Sequence, residues 1–191
     1  MSDLGAASEV EAAEDGLEAG TPVAAAAPAA TITAPGPAAA RPTVSVVVCC
    51  FTQDSWEDLA RTVRSVQEQT EPAREIIVVA DHCPDLLSRA ERELPGVTAV
   101  PNPLARGLAG ARNIGVGLAR GDVVAFIDDD AAADPGWIAG LADQYRDSRV
   151  KGVGGLVRPV WEPGRPRWFP AELDWVVGCS YQGMPAGRQP V

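Results

Sequence analysis

Three consecutive carboxylates, Asp128, Asp129 and Asp130, close the apolar run in "VVAFIDDDAAADPGWI". Like charges at that spacing repel, and none is comfortably buried without a partner. At the tip of a hydrophobic strand they would gather something positive; the alternative is a solvated turn that caps a helix. A hard cation such as Mg2+ or Mn2+ prefers carboxylate and water oxygens and often keeps substrate phosphates as further ligands. In an extended Asp-x-Asp the first and third side chains share one side. Asp128 and Asp130 could then share a metal, or divide a metal and a sugar hydroxyl between them, with Asp129 turned the other way. A second acidic position, Asp81, precedes the only histidine, His82. A lone histidine after a strand is more often a loop residue than a catalyst. Between these sites lies "RGLAGARNIG", whose Gly107, Gly110 and Gly115 let backbone approach a ligand or another element. It is not the G-x-G-x-x-G dinucleotide fingerprint. Arg112 within it suits a base or a phosphate, or equally a surface ion pair.

The elements that must position these residues can be read in order. "TVSVVVCCF" and "EIIVVA" are continuous β-branched runs, the mark of strands buried on both faces. "VTAV", "DVVAFID" and the glycine-rich "VKGVGGLV" read as third, fourth and fifth strands. Between them, "DSWEDLARTVRSVQEQT" carries Trp56, Leu59, Val63 and Val66 at helical spacing, with Asp54 or Ser55 as cap. "PDLLSRAEREL" opens with Pro84 at a first-turn position. "GLAGARNIGVGLAR" is a third helix. Asp134 is expected to cap a fourth that starts at Pro135 and runs through Trp137 to Tyr145. Strands alternating with helices predict an α/β fold: a Rossmann-like, mostly parallel sheet with flanking helices. In such sheets ligands bind beyond the carboxyl ends of the strands. The first strand ends at Cys49, Cys50, Phe51 and Thr52, the second at Asp81, the fourth at Asp128.

Bulk properties narrow the classes. The chain has 191 residues and a formal net charge of -10, which argues against a nucleic-acid or anionic-membrane binder. No run of about 18 apolar residues occurs, so no transmembrane helix is expected within it. The N-terminus does not read as a secretory signal. The four cysteines, Cys49, Cys50, Cys83 and Cys179, lack C-x-x-C spacing. They are expected as reduced, mostly buried thiols, which points to a cytoplasmic location. Residues 1–41 are Ala/Pro-rich and acidic, a composition expected to be a disordered tail, with the folded domain over 42–191. After the fifth strand, "WFPAELDW" is expected as a packed loop rather than an aromatic sugar platform. The domain reads as incomplete at its C-terminus.

Four stretches in order resemble the donor-binding half of the family 2 glycosyltransferases, which share the glycosyltransferase A fold. "TVSVVVCCFTQD" is similar to the opening strand, with Cys49, Phe51 and Thr52 at places where the family usually has Thr-x-Tyr-Asn. "EIIVVADHCPD" resembles the second strand, usually Val-Val-Asp-Asp-Gly-Ser, with Asp81 on the second aspartate, which contacts the base. "RGLAGARNIGVGLARGD" places Arg112 and Asn113 on the family's Arg-Asn pair. "VVAFIDDDAAADPGWI" follows its Asp-x-Asp strand and the helix after it. The resemblance implies an inverting transfer from a nucleotide-diphosphate sugar to an acceptor hydroxyl, with Mg2+ or Mn2+. Cys49, Phe51, Asp81, Gly107, Arg112, Asp128 and Asp129 would bind donor, and Asp130 with Asp128 would bind the metal. The acceptor would be a saccharide, a lipid-linked sugar or another hydroxyl, as in cell-wall or polysaccharide synthesis. No nucleic-acid partner is expected, and any peripheral association with the inner membrane face would come through regions outside this chain. The first motif lacks its Tyr and Asn, and the second its Gly-Ser turn. No Glu-Asp base motif precedes Val191; Glu162, Glu172 and Asp174 are the later carboxylates, and the catalytic base is expected beyond Val191. Two other readings stand beside this one. One is a donor-binding module without its base; the other is a phosphatase with an Asp-x-Asp nucleophile, a site that normally follows the first strand.

Overall fold

The computed structural model describes residues 41–162 and 164–181. The tail expected over residues 1–40 lies outside the described residues. The elements run β1 (Val44–Cys50), a 3-10 turn (Gln53–Ser55), α1 (Trp56–Gln67), β2 (Glu75–Ala80), α2 (Pro84–Glu93), β3 (Thr98–Pro101), α3 (Leu108–Leu118), β4 (Val123–Asp128), α4 (Trp137–Gln144) and a second 3-10 helix (Ala171–Val177). The four strands form a parallel sheet in the order β3-β2-β1-β4. Among the described residues no helix is long and apolar enough to cross a membrane.

The unbroken apolar runs of β1 and β2 are explained by burial on both faces. Val44, Val46, Val48 and Cys50 point to one layer, packed with Trp56, Leu59, Val63 and Val66 of α1, Leu86 and Ala90 of α2, and Ile138 and Leu141 of α4. Val47, Ile77 and Val79 point to the other, against Ala111 and Ile114 of α3. The predicted helical stripe of α1 is thus its core face. Gly115 is there for close approach: a Cβ on it would lie 2.4 Å from Val47 Cγ1. Arg41, just before β1, donates to Asp143 and Glu71, which ties the start of the described chain to α4.

Several expectations need correction. "VKGVGGLV" forms no strand; its three glycines offer little side-chain surface to hold a ladder. Its last residue, Val157, instead exchanges hydrogen bonds with Ser180, 2.9 Å to the hydroxyl and 3.0 Å from the Ser180 N–H. As a result β4 is an edge of the described sheet. Helix α4 starts at Trp137 with Gly136 before it, and neither Asp134 nor Pro135 is helical. The carbonyls of Asp134 and Pro135 are taken by Gln69 and Thr70 at the end of α1, which holds this stretch as a turn. At the start of α1 neither Asp54 nor Ser55 caps through its side chain; Thr52 accepts from the Asp54 N–H and opens the 3-10 turn. "WFPAELDW" is not a packed loop: most of it is 3-10 helix, and Trp168 is 80% exposed. All four cysteines are free, but only Cys50 is buried.

Candidate functional site

The parallel register sets the site. β1 lies between β2 and β4, with Cys49 level with Val79 on one side and Asp128 on the other. The carboxyl ends of these strands therefore emerge together, and Asp81 and Asp128 flank the end of β1. The start of helix α3 reaches both: the Gly107 N–H before its first turn bonds Asp81, and Arg112 one turn on faces Asp128.

Asp81 is a hub. It is 5% exposed and accepts from Asn102 Nδ2 at 2.7 Å, the Gly107 N–H at 2.8 Å and His82 Nδ1 at 2.9 Å. Burial pushes its carboxyl up, but the donors of His82, Asn102 and Gly107 outweigh burial and hold it below the ordinary carboxylate range. Asp81 is thus an anion fixed by the protein. Gly107 has φ 138°, in the region that favours glycine, and this conformation turns its N–H to Asp81. His82 has φ 55° and occupies the turn where the resemblance places a glycine.

The three aspartates separate differently from the strand-alternation argument. β4 ends at Asp128, and residues 129 and 130 form a turn, closed by the Ala131 N–H on the Asp128 carbonyl at 3.2 Å. Period-two alternation does not extend past the strand. Asp128 and Asp130 nonetheless face solvent, and Asp129 turns inward to accept from the Ser55 hydroxyl at 3.1 Å. Burial, against the Ser55 hydrogen bond and with the charges of Asp130 and Asp128, pushes the Asp129 carboxyl up. A polar stripe along α1 and the residues that flank it holds this turn in place. Thr62 Oγ1 donates to the carbonyls of Asp129 and Ala131, Ser65 Oγ accepts from the Ala133 N–H, and Gln69 bonds both Asp134 and Ile138.

Arg112 Nη2 stands 3.5 Å from Asp128 Oδ1, with its guanidinium 5.4 Å from the Phe126 ring centre. That is charge proximity at the limit of a hydrogen bond, and both groups retain donors and lone pairs for a ligand. Phe51 is 61% exposed at the same edge. Burial pushes the Cys49 thiol up to about 11, and that of Cys50 higher still, so neither is a thiolate at neutral pH. Among the described residues no group of three or more His, Cys, Asp or Glu side chains converges as a metal cage. Of the later carboxylates, Asp174 is locked by Arg165 through two bonds of 2.7 and 2.8 Å.

Asn102 and the α1 stripe were not among the sequence candidates. Asn102, 4% exposed, bonds Asp81, the Ala105 carbonyl and the Leu104 N–H. Its only signal was an asparagine between two prolines after a strand. The stripe was legible: Ser55, Thr62, Ser65 and Gln69 recur at helical spacing.

The chain is 39% identical over 145 residues to glucosyl-dolichyl phosphate glucuronosyltransferase of Haloferax volcanii, covering 74% of this chain and 46% of that protein. It is 30% identical over 164 residues to polypeptide N-acetylgalactosaminyltransferase 15 of Mus musculus, covering 80% of this chain and 25% of the relative. The chain thus spans less than half the length of these relatives. A crystal structure of S. aureus TarS 1-349 in complex with UDP-GlcNAc superposes with a TM-score of 0.47 at 22% identity, over 62% of this chain and 37% of that one. Residues 45–182 match the family described as glycosyl transferase family 2, a stretch that takes in β1 from its second residue, the other three strands, both acidic positions and Arg112, and the chain belongs to that family.

Proposed function

We propose that the carboxyl edge of the sheet binds a nucleotide-diphosphate sugar and that the protein transfers its sugar, with inversion, to an acceptor hydroxyl. The observation that carries this reading is the meeting of Asp81, Arg112 and Asp128, from three separate elements, at the end of β1. Asp81 and its neighbours serve the nucleoside end. Arg112 donates to the diphosphate, as a planar cation suited to phosphate oxygens. Asp128 takes the ribose or the metal, and Asp130 the metal.

Mg2+ or Mn2+ fits the residues present. Asp128 is 72% exposed on its side chain and Asp130 is exposed, both offering hard oxygens at the edge. Two carboxylates do not make a full cage, which suits an ion that keeps waters and takes its other ligands from the donor's phosphates. When bound, such an ion stabilises charge on the leaving diphosphate as a Lewis acid. Asp129, turned to Ser55, holds the turn in shape between them.

Inversion requires the acceptor hydroxyl to attack the anomeric carbon opposite the leaving diphosphate while a base takes its proton. Asp174 is a poor base, since its bidentate pair with Arg165 holds its carboxyl below the ordinary range. That observation favours a second reading, in which this segment binds donor and the base is supplied elsewhere. Calorimetric titration of UDP- and GDP-sugars, with and without Mn2+, tests the donor site. Binding strengthened by Mn2+ is expected; no binding of either class in any condition contradicts the reading.

A further inference from the structure

Resting on the donor-site reading above, we propose that His82 reads the nucleobase, its Nε2 accepting a hydrogen bond from the ring N–H of a uracil- or guanine-type base. The backbone is the first observation. His82 is the one non-glycine residue with positive φ among the described residues, a conformation that L residues adopt at a cost. It stands at the carboxyl end of a central strand, where ligands of parallel sheets bind. Its neighbour supplies the second. Asp81 is an anion and only accepts, so the Nδ1 facing it at 2.9 Å carries the proton. In the neutral imidazole Nε2 is then an acceptor, and the ring is fixed in orientation by a buried carboxylate. Nε2 has no hydrogen-bond partner among the described residues, and the side chain is 41% exposed.

Asp81 itself is poorly placed to be the sole reader. Three protein donors already use most of its roughly four lone-pair sites, and it is 5% exposed. The group that this end of the sheet presents outward is the imidazole, with Asp81 as its anchor. Phe51 leaves β1 one residue past the Cys50–Ala80 pair, level with Asp81, and its exposed ring offers an apolar surface for a base face. An acceptor at this place matches uracil N3–H or guanine N1–H. Cytosine N3 and adenine N1 are themselves acceptors, and would set two lone pairs against each other.

The test compares UDP with CDP, and GDP with ADP, by calorimetry on the full 191-residue chain with Mn2+ present. Wild type should bind UDP or GDP at least about tenfold more tightly than its amino counterpart. His82→Gly, which suits φ 55° and keeps the fold, should bring that ratio close to one. His82→Asn, also tolerant of this backbone and bearing an amide oxygen, should fall between. A His82→Gly protein that still melts cooperatively and still gains stability from Mn2+ plus UDP or GDP separates loss of reading from loss of fold. If wild type binds UDP or GDP but His82→Gly keeps the full ratio, the donor site stands and this inference falls. A wild-type preference for CDP or ADP also overturns it. If wild type binds none of the four, the donor-site reading fails and takes the inference with it.

Discussion

Replacing Asn102 should damage this protein more than any surface polar change. Asn102 is buried and makes three hydrogen bonds: 2.7 Å to Asp81, 3.3 Å to the Ala105 carbonyl and 3.0 Å from the Leu104 N–H. A hydrogen bond to a charged group contributes about 1.5–3 kcal/mol, and a neutral one about 0.5–1.5. The Ala105 bond is long and counts least. Asn102→Ala should therefore cost about 3 kcal/mol, a large share of the roughly 5–15 kcal/mol that holds a typical domain folded. Urea unfolding followed by fluorescence would measure it, with Trp56 buried in the core as one reporter. Asn102→Asp sharpens the test, because it sets a second carboxylate against Asp81 where an amide donor now lies at 2.7 Å. Two such groups cannot both ionise, so the pair takes up a proton at a raised apparent pKa. The sign follows. Asp81 in wild type is depressed, so its contribution is complete at pH 7 and at pH 5 and is lost only as pH falls through its lowered pKa. Asn102→Asp should instead regain stability relative to wild type between pH 7 and pH 5. A cost below about 1 kcal/mol for Asn102→Ala, or an Asn102→Asp variant no worse than it at pH 7, would refute the hub described for Asp81.

Two further outcomes follow from packing and charge. Gly115→Ala should destabilise by about 1–3 kcal/mol through overpacking on Val47, whereas Gly117→Ala, with nothing within 4 Å of the added Cβ, should stabilise by up to about 1 kcal/mol; denaturant midpoints of the pair decide it. Asp129→Asn should make the metal-free protein more stable at neutral pH. Burial, with Asp130 and Asp128 adding to it and Ser55 opposing, raises the folded-state pKa. The charged form thus carries a penalty above that pKa, and the advantage of the variant should shrink as pH falls through it in a series of melts.

The strands and helices were legible because their patterns carry a single physical meaning. Val46, Val47 and Val48 are apolar in succession, since one set faces α1, α2 and α4 and the other faces α3. Asp81 and Asp128 could be placed at one edge from the parallel reading alone, because a parallel sheet brings carboxyl ends together. What failed depended on contacts far away in sequence. The pattern of "VKGVGGLV" suggests a fifth strand, but its glycines leave too little surface to pair with β4. Helix α4 starts late because the end of α1 captures the carbonyls of Asp134 and Pro135. Asn102 was missed because its partner, Asp81, is 21 residues away and the two flanking prolines mark only a turn.

The central claim is that Asp128 and Asp130 complete a metal-assisted nucleotide-diphosphate site. Thermal melts of wild type, Asp128→Ala and Asp130→Ala, each with and without Mn2+ plus UDP or GDP, test it most directly. Wild type should melt higher with both ligands present, by mass action on the folded state. Asp130→Ala should show no metal-dependent gain and Asp128→Ala a reduced one, while both ligand-free variants melt close to wild type because the two carboxylates are exposed. An equal gain in all three proteins would contradict the account and leave the aspartates as a charged turn.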